Sequence, residues 1–297
     1  MDRMLYGGVE TGGTWCVCAV GSGPEEIVES AQFHTTCPEE TLARIVAFFA
    51  AGPAVEALGI GSFGPVDVDR SSPTWGYVTT TPKPGWQHVS VASVVAERLG
   101  VPVAFDTDVN AAALGEHRWG TGQGASSLFY LTVGTGIGGG LLIDGRPRHG
   151  LVHPEMGHIR VPRDSDPDRA DFRGICPVHG DCWEGVASGP AIAERCGSRP
   201  EELPETHPIW RIEAAYLALG ILSVVLIASP ERVVVGGGVM DHPSLLEMIR
   251  EQLKELLGGY LETPALADEI GSYVVAPALG DRAGVLGAIA LAQTVEV

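Results

Sequence analysis

Positive charge is scarce in this sequence. Its 297 residues include 19 Lys and Arg against 37 Asp and Glu, which gives a formal net charge of −18. Proteins whose main partner is a nucleic acid concentrate Lys and Arg against the phosphates, so this balance argues against DNA or RNA as a partner. It does not exclude a nucleotide, because backbone N–H groups can bind phosphate locally.

Signals for export and membrane insertion are missing as well. The first thirteen residues carry Asp2, Arg3 and Glu10 and no apolar run, so we expect no secretory signal and a cytoplasmic protein. The uncharged stretch at 214–230 has 17 residues, fewer than the roughly 20 that a membrane-spanning helix needs. We expect a core or interface helix there and no membrane contact. Six cysteines in a chain of this length do not indicate a disulfide framework.

Glycine, by contrast, is abundant, with 40 residues. Apolar segments of strand length alternate with helical patterns, which predicts an α/β fold. A strand, a glycine turn and a second strand occur once in each half of the chain, so we predict two similar lobes with a ligand cleft between them. The N-terminal lobe is placed at residues 1–115 and the C-terminal lobe at 116–297, with the last helix, at about 283–293, packing back on the N-terminal lobe.

Three glycine turns follow apolar strands, at 12–13, 134–140 and 236–238. None fits G-x-x-x-x-G-K-[ST], so the chain is not a P-loop protein. The segment GTGIGG at 134–139 fits G-x-G-x-x-G, but a strand pattern follows it where a dinucleotide site requires a helix. Three such turns favour a bound nucleotide over a purely structural role, because glycine lets the backbone approach an anion closely.

Asp108 is a candidate general base. It follows the apolar segment at 101–105 and precedes a helical pattern, and ligands of α/β sheets bind beyond the carboxyl ends of strands. The alternative is that Asp108 only caps the helix, since aspartate is a favoured N-cap. Asp106 is a second, less well placed candidate.

A histidine–cysteine cluster is the candidate metal site. Cys176, His179 and Cys182 follow one another at a spacing of x2, x2, and His158 lies about one loop upstream. Two thiolates and two imidazoles complete a closed tetrahedral Zn²⁺ site, which predicts a structural ion. His153 could substitute for His158, and the alternative is a polar loop without metal.

Two carboxylates, Glu155 and Glu184, flank the proposed ligands. A loop fixed by zinc could direct both toward the hydroxyl groups of a polyol. The alternative is that both are solvated surface charges.

Taken together, these segments resemble the ROK family (repressors, open reading frames, kinases), and within it the zinc-containing fructokinases of bacteria. The resemblance covers nearly the whole chain, and the segment TPKPGW and the C-x2-H-x2-C motif are most similar to the fructokinase-type members. The matching segments are GGVETGGT (7–14), GSFGPVD (61–67), TPKPGW (81–86), DTDVNAAALGE (106–116), TVGTGIGG (132–139), HPEMGH (153–158), CPVHGDCWE (176–184), SGPA (188–191), GGGV (236–239) and LGDRAG (279–284).

The resemblance implies an actin-like (ribonuclease H-like) ATPase fold with two lobes and an interlobe cleft, in a homodimer. It implies transfer of a phosphoryl group from ATP, with Mg²⁺ bound mainly to the ATP, to the 6-hydroxyl of a hexose, with Asp108 as the catalytic base. The matched sugar positions are Gly64, Pro65, Glu155, His158 and Glu184, with Thr107 at a further sugar position, and the matched zinc ligands are His158, Cys176, His179 and Cys182. The matched ATP positions are Thr11, Gly12, Gly13 and Thr14 in a first phosphate turn, Thr135, Gly136 and Gly138 in a second, and Pro190, Gly236, Gly237 and Gly238 at the adenosine.

The sequence departs from the family pattern at two positions. Trp15 stands where Lys is common, which removes a positive charge near the phosphates. Thr107 stands where an Asn that contacts the sugar is common, which favours fructose or mannose over glucose and N-acetylhexosamines. We therefore expect D-fructose as the substrate, with a mannose or glucose kinase or a catalytically silent sugar-sensing protein as alternatives. A sugar-responsive transcription regulator is disfavoured by the charge of −18.

Overall fold

The computed structural model describes residues 4–164 and 166–295, which form two compact units. Unit 1 is built from the chain up to Gly124, from Gly140–Pro154 and from Ala278 onward. Unit 2 is built from Ala125–Gly139 and Glu155–Pro277. The chain therefore crosses between the units several times, and its last segment belongs to unit 1.

The first part of unit 1 is a mixed α/β segment. Its elements are β1 (Tyr6–Thr11), β2 (Trp15–Gly21), β3 (Ile27–His34), α1 (Pro38–Ala51), β4 (Leu58–Ser62), β5 (Tyr77–Val78), β6 (Val89–Ser90), α2 (Ala92–Leu99), β7 (Val103–Thr107) and α3 (Asp108–Trp119). Five strands form one sheet in the order β3-β2-β1-β4-β7. The first three pair antiparallel, and β1, β4 and β7 run parallel, so their carboxyl ends meet at one edge.

Two features of this segment differ from the sequence prediction. The apolar spacing over 89–99, which is followed by Gly100, predicts one helix. Helix α2 instead begins at Ala92, because Val89–Ser90 pairs with Tyr77–Val78 in a short antiparallel ladder. The strand Ile27–His34 was not predicted. It is an edge strand with a mostly exposed or half-exposed surface, so it lacks the apolar alternation that marks a strand buried on one face.

The rest of the chain supplies a second sheet and its helices. The elements are β8 (Ser127–Val133), β9 (Ile137–Ile143), β10 (Arg146–Pro147), α4 (Trp183–Ala187), α5 (Gly189–Cys196), α6 (Ile209–Ala228), β11 (Arg232–Gly236), α7 (Leu245–Leu257), α8 (Pro264–Ala267), α9 (Ile270–Tyr273), β12 (Val274–Val275) and α10 (Ala283–Ala292). The strand order is β10-β9-β8-β11-β12, with β8, β11 and β12 parallel. Strand β9 begins at Ile137, within the glycine segment at 134–140, where a dinucleotide site would need a helix. This segment is therefore not a dinucleotide motif, as predicted.

Helix α10 packs inside unit 1 against the sheet and α3. All ten of its residues are buried, and two glycines allow the close approach. A Cβ on Gly59 would lie 1.9 Å from the Ala288 carbonyl oxygen, and one on Gly287 would lie 1.6 Å from that of Ala111. A larger residue at either position would push the helix away from its neighbours.

Helix α6 contains the uncharged stretch noted in the sequence. By length and apolar composition alone it could cross a membrane, yet half of its apolar window is buried within the protein. It packs against α7 and α4, with Trp210 and Leu217 fully or almost fully enclosed. This is the packing of a core helix, as the sequence predicted.

Candidate active site and metal cluster

Asp108 stands at the first position of α3, directly after β7. The capping residue is Thr107, whose Oγ1 accepts a hydrogen bond from the Asn110 backbone N–H at 3.1 Å, so the interpretation of Asp108 as the N-cap is wrong. Asp108 Oδ1 accepts a bond from the Val109 N–H at 2.8 Å. Burial nevertheless raises the pKa of the Asp108 carboxyl to about 7. A carboxylate with a pKa near neutrality is suited to take a proton from a hydroxyl group.

A second partly buried carboxylate, Glu10, lies close to Asp108. It belongs to β1, and a Cβ on Gly284 of α10 would lie 2.4 Å from its carboxylate oxygens. Burial first, and then the neighbouring Asp108, raise the pKa of Glu10 to about 7. The sequence interpretation assigned Glu10 no role in the site, although a charged residue inside an apolar strand was a signal that could have found it.

Asp106 is occupied by structural hydrogen bonds. It is buried, and its Oδ1 accepts bonds from the Thr107 N–H at 2.8 Å and from Asn110 Nδ2 at 2.7 Å. Its Oδ2 lies 3.0 Å from His149 Nε2, and this contact raises the pKa of His149. Asp106 thus fixes the β7–α3 junction, which leaves Asp108 as the candidate base.

The predicted first phosphate turn joins β1 to β2. Thr11 ends β1, and Gly12, Gly13 and Thr14 form the turn, which the Gly12 N–H closes on the Trp15 carbonyl at 2.8 Å. Gly13 and Thr14 are exposed, and a Cβ on Gly13 would meet no atom within 4 Å. The turn is therefore open to a ligand on this side.

Trp15 cannot replace the missing lysine at this turn. Its ring is exposed and stacks on His34 of β3 with centroids 3.8 Å apart.

The loop after β4 carries Gly64 and Pro65, which are joined by a cis peptide bond. The Val66 N–H donates to His153 Nε2 at 2.9 Å, and His153 Nδ1 lies 3.3 Å from the Pro154 carbonyl. His153 is buried, and burial lowers its pKa. This neutral histidine holds the loop in place, so it is not an alternative zinc ligand.

The second phosphate turn, in unit 2, is shorter than predicted. It comprises Gly134, Thr135 and Gly136, with the Gly134 N–H on the Gly136 carbonyl at 2.9 Å, and Gly138 already lies in β9. Glu184 Oε2 accepts a bond from the Ile137 N–H at 3.1 Å. A Cβ on Gly136 would lie 2.5 Å from the same oxygen. Glu184 is therefore a support of this turn and not a solvated surface charge.

The predicted adenosine turn follows β11 beside the second phosphate turn. Gly237 has φ of +95°, and a Cβ there would lie 2.4 Å from the Val133 carbonyl oxygen, so only glycine fits. The Gly189 N–H donates to the Gly134 carbonyl at 2.8 Å. Pro190, the next residue, is exposed at the start of α5. In unit 2, Pro190 and the turn formed by residues 236–238 therefore lie close to Gly134.

The four predicted metal ligands come together in unit 2. One ligand atom from each of His158, Cys176, His179 and Cys182 lies within 4.8 Å of the others. His158 Nδ1 is 3.4 Å from Cys182 Sγ and 3.8 Å from Cys176 Sγ, and His179 Nδ1 is 3.7 Å from Cys176 Sγ. Tetrahedral zinc with its usual bond lengths separates its ligand atoms by about 3.3–3.8 Å. The cluster could therefore hold a metal ion, and its donor set is compatible with Zn²⁺.

Glu155 lies beside this cluster. Its Oε2 is 4.0 Å from His158 Nε2, the ring nitrogen that faces away from the thiols. This distance is too long for a hydrogen bond between the carboxylate and the ring. Glu155 thus neighbours one of the predicted metal ligands.

The chain is similar to known proteins over its whole length. The profile described as ROK family matches residues 6–295. The chain is 44% identical over 302 residues to a fructokinase of Zymomonas mobilis subsp. mobilis, with 99% of this chain and 98% of that protein covered. It is 41% identical over 266 residues to a fructokinase of Lactococcus lactis subsp. cremoris, with 90% of each covered.

A solved structure is also similar to nearly the whole chain. The crystal structure of a ROK family glucokinase from Streptomyces griseus, in complex with glucose and AMPPNP, matches with a TM-score of 0.79 and 31% identity. The match covers 98% of this chain and 100% of that one.

Proposed function

The chain belongs to the ROK family, with its actin-like α/β ATPase fold, and we propose on this premise that it is an ATP-dependent hexose kinase that converts D-fructose to fructose 6-phosphate. Relatives named fructokinase share 38–44% of its residues over nearly the whole chain. The solved glucokinase is more distant, at 31% identity.

The observation that carries the chemical assignment is the environment of Asp108. With its pKa raised to about 7, the carboxylate is ionised in a large fraction of molecules at neutral pH and is basic enough to accept a proton. We assign Asp108 to remove the proton of the sugar 6-hydroxyl. The hydroxyl oxygen then forms a bond to the γ-phosphorus, and the bond from that phosphorus to the β,γ-bridging oxygen breaks, with its electron pair leaving on ADP.

The remaining side chains position the reactants. We assign Gly12, Gly13 and Thr14 to one phosphate turn and Thr135 and Gly136 to the other, because exposed backbone in glycine turns binds phosphate oxygens. The Glu10 carboxylate, which lies close to Asp108, would offer oxygens of the kind that Mg²⁺ prefers, and Asp108 keeps its role as the base. Bound with ATP, Mg²⁺ would neutralise charge on the transferred phosphate.

We assign a structural Zn²⁺ to the four-residue cluster. Burial raises the pKa of the Cys182 thiol to about 11, so a thiolate there needs a cation beside it. A closed Cys₂His₂ site has no open position for a substrate, and its role is to fix the loop that carries Glu155 and Glu184. We expect the active protein to be a cytoplasmic homodimer, as the family resemblance implies.

Sugar preference follows from hydroxyl contacts. The Thr107 Oγ1 already accepts the Asn110 N–H, which leaves its proton to donate to a sugar oxygen. An Asn at this position would offer two donors and an acceptor. We infer that this reduced contact set favours fructose over glucose or N-acetylhexosamines.

The test is a coupled assay of ADP release with ATP, Mg²⁺ and each of fructose, mannose, glucose, N-acetylglucosamine and N-acetylmannosamine. We expect the highest kcat/KM with fructose and negligible ADP release without sugar. A preference for mannose or glucose would keep the kinase and overturn the choice of sugar. No release with any sugar from folded, zinc-containing protein would overturn the kinase and leave the sugar-sensing protein.

A further inference from the structure

Lysine is the rarest charged residue in the chain, with Lys83 and Lys254 as its two copies. Lys254 is exposed near the end of α7. Lys83 lies in the loop between β5 and β6, and its Nζ donates a hydrogen bond to the Gly13 carbonyl at 2.6 Å. Its ammonium also lies 5.9 Å from the centroid of the Phe63 ring. One of two lysines is thus directed at the middle of the first phosphate turn.

The loop that carries Lys83 has other anchors. Trp86 Nε1 donates to the Thr36 carbonyl at 2.8 Å, and the Thr79 N–H donates to the Pro65 carbonyl at 2.7 Å. The ring of Trp86 is completely buried. A lysine bond to one exposed carbonyl adds little to such a loop.

The turn is likewise held without Lys83. Thr35 Oγ1 donates to the Gly12 carbonyl at 2.9 Å, and the Thr35 N–H donates to the Thr14 carbonyl at 2.9 Å. These bonds fix the backbone on either side of Gly13. The distinctive contribution of Lys83 is therefore its charge and its remaining donors, since an ammonium has three N–H groups and Gly13 engages one.

We propose that Lys83 is a phosphate-binding residue, which supplies the first phosphate turn with the positive charge that Trp15 does not provide. The inference rests on the proposed function, because it assumes that the turn binds the polyphosphate of MgATP. The two N–H groups that do not contact Gly13 bind a phosphate oxygen seated on the exposed side of Gly13 and Thr14.

Steady-state kinetics of two variants test this role. In Lys83→Met the stem is kept and the charge is lost, and we expect kcat/KM for MgATP to fall about 10- to 100-fold, the usual size of a charge-assisted hydrogen bond. KM for the sugar should hardly change. Lys83→Arg keeps the charge and should retain most of the activity. The matched control, Lys254→Met, removes the other lysine and should behave as the wild type.

A second measurement does not depend on turnover. The folded protein is acetylated at a low concentration of an amine-reactive ester, with and without a non-hydrolysable ATP analogue and Mg²⁺, and both lysines are followed by peptide mass spectrometry. We expect the nucleotide to slow acetylation of Lys83 several-fold and to leave Lys254 unaffected. Equal rates at Lys83 with and without nucleotide would overturn the proposal.

These experiments distinguish a failure of the proposed kinase function from a failure of the role of Lys83. A wild-type protein without sugar-dependent ADP release contradicts the proposed function. An active wild type whose Lys83→Met variant keeps the same kcat/KM for MgATP contradicts the role of Lys83 alone. A rise in KM for the sugar, with KM for MgATP unchanged, would overturn phosphate binding and place Lys83 at the sugar.

Discussion

Replacing Asp108 with Asn should damage catalysis and stabilise the fold. The side chain keeps its size and can still accept the Val109 N–H, but it can no longer take a proton. We expect kcat to fall about 10²- to 10⁴-fold, the usual contribution of a general base, while the sugar still binds.

The gain in stability follows from the raised pKa. Burial shifts the pKa of Asp108 from 3.8 to about 7. A shift of roughly 3 units corresponds to about 4 kcal/mol at 1.36 kcal/mol per unit. This value is reduced because water reaches the partly exposed carboxylate and because Asp108 shares its proton with Glu10. We therefore expect Asp108→Asn to raise the free energy of unfolding by about 1–3 kcal/mol.

The raised pKa of Asp108 also makes the stability of the wild type depend on pH. Between pH 4 and 7 the folded state binds a proton at Asp108 that the unfolded state has released. The wild type therefore loses stability as the pH rises through this window, and the loss is complete above about pH 7. The difference in free energy of unfolding between Asp108→Asn and the wild type should increase from pH 4 to pH 7 and then stay constant.

Thermal unfolding of both proteins at pH 5 to 9, together with kcat at pH 8, measures both effects. One kcal/mol corresponds to about 2–4 °C in Tm for domains of 150–250 residues. Asp268→Asn, at an exposed position, serves as the control and should follow the wild type at every pH. A Tm difference that does not vary with pH would show that Asp108 is not desolvated, and an unchanged kcat would remove it from the mechanism.

Three further predictions concern the site and its supports. In the wild type, kcat/KM for the sugar should rise with pH up to about 7 and then level off, because the base acts ionised; a flat profile between pH 5.5 and 8 would refute this. Metal analysis of protein purified without chelator should give about one zinc per chain. Cys176→Ser should lose the zinc, while Cys196→Ser, outside the cluster, should keep it. A metal content near zero in the wild type would exclude the site. His153→Phe should leave the Val66 N–H without its acceptor and lower the free energy of unfolding by about 1–3 kcal/mol, which denaturant titration measures. The same variant should have a higher KM for the sugar, which steady-state kinetics measures.

Elements with a clear apolar pattern were predicted closely from the sequence. The continuous apolar segment at 127–133 predicts a strand, and the helical spacing of apolar residues at 245–257 predicts an amphipathic helix. The structure has both with these bounds, as Ser127–Val133 and Leu245–Leu257. The four-residue metal cluster was also predicted, because three of its ligands are fixed by their spacing in one short loop. For the strand, the helix and these three ligands the information is local, whereas His158 lies 18 residues before Cys176.

Contacts between distant segments could not be found in this way. Lys83 meets Gly13 across 70 positions, and His153 meets Val66 across 87. Each of these residues lies in a segment that matches the family, but no spacing in the sequence connects one segment of a pair with the other. Whether Thr107 or Asp108 is the N-cap depends on where the helix begins, and the two possibilities differ by one residue. Helix propensities do not locate a helix start that closely.

The central claim is that this protein transfers a phosphoryl group from ATP to the 6-hydroxyl of fructose. The most direct measurement is phosphorus and carbon NMR of the products after incubation with ATP, Mg²⁺ and D-fructose. We expect one sugar phosphate, with the phosphate on the oxygen of carbon 6, formed in equal amount with ADP. Free phosphate in place of a sugar phosphate, or a phosphate on another hydroxyl, would contradict it.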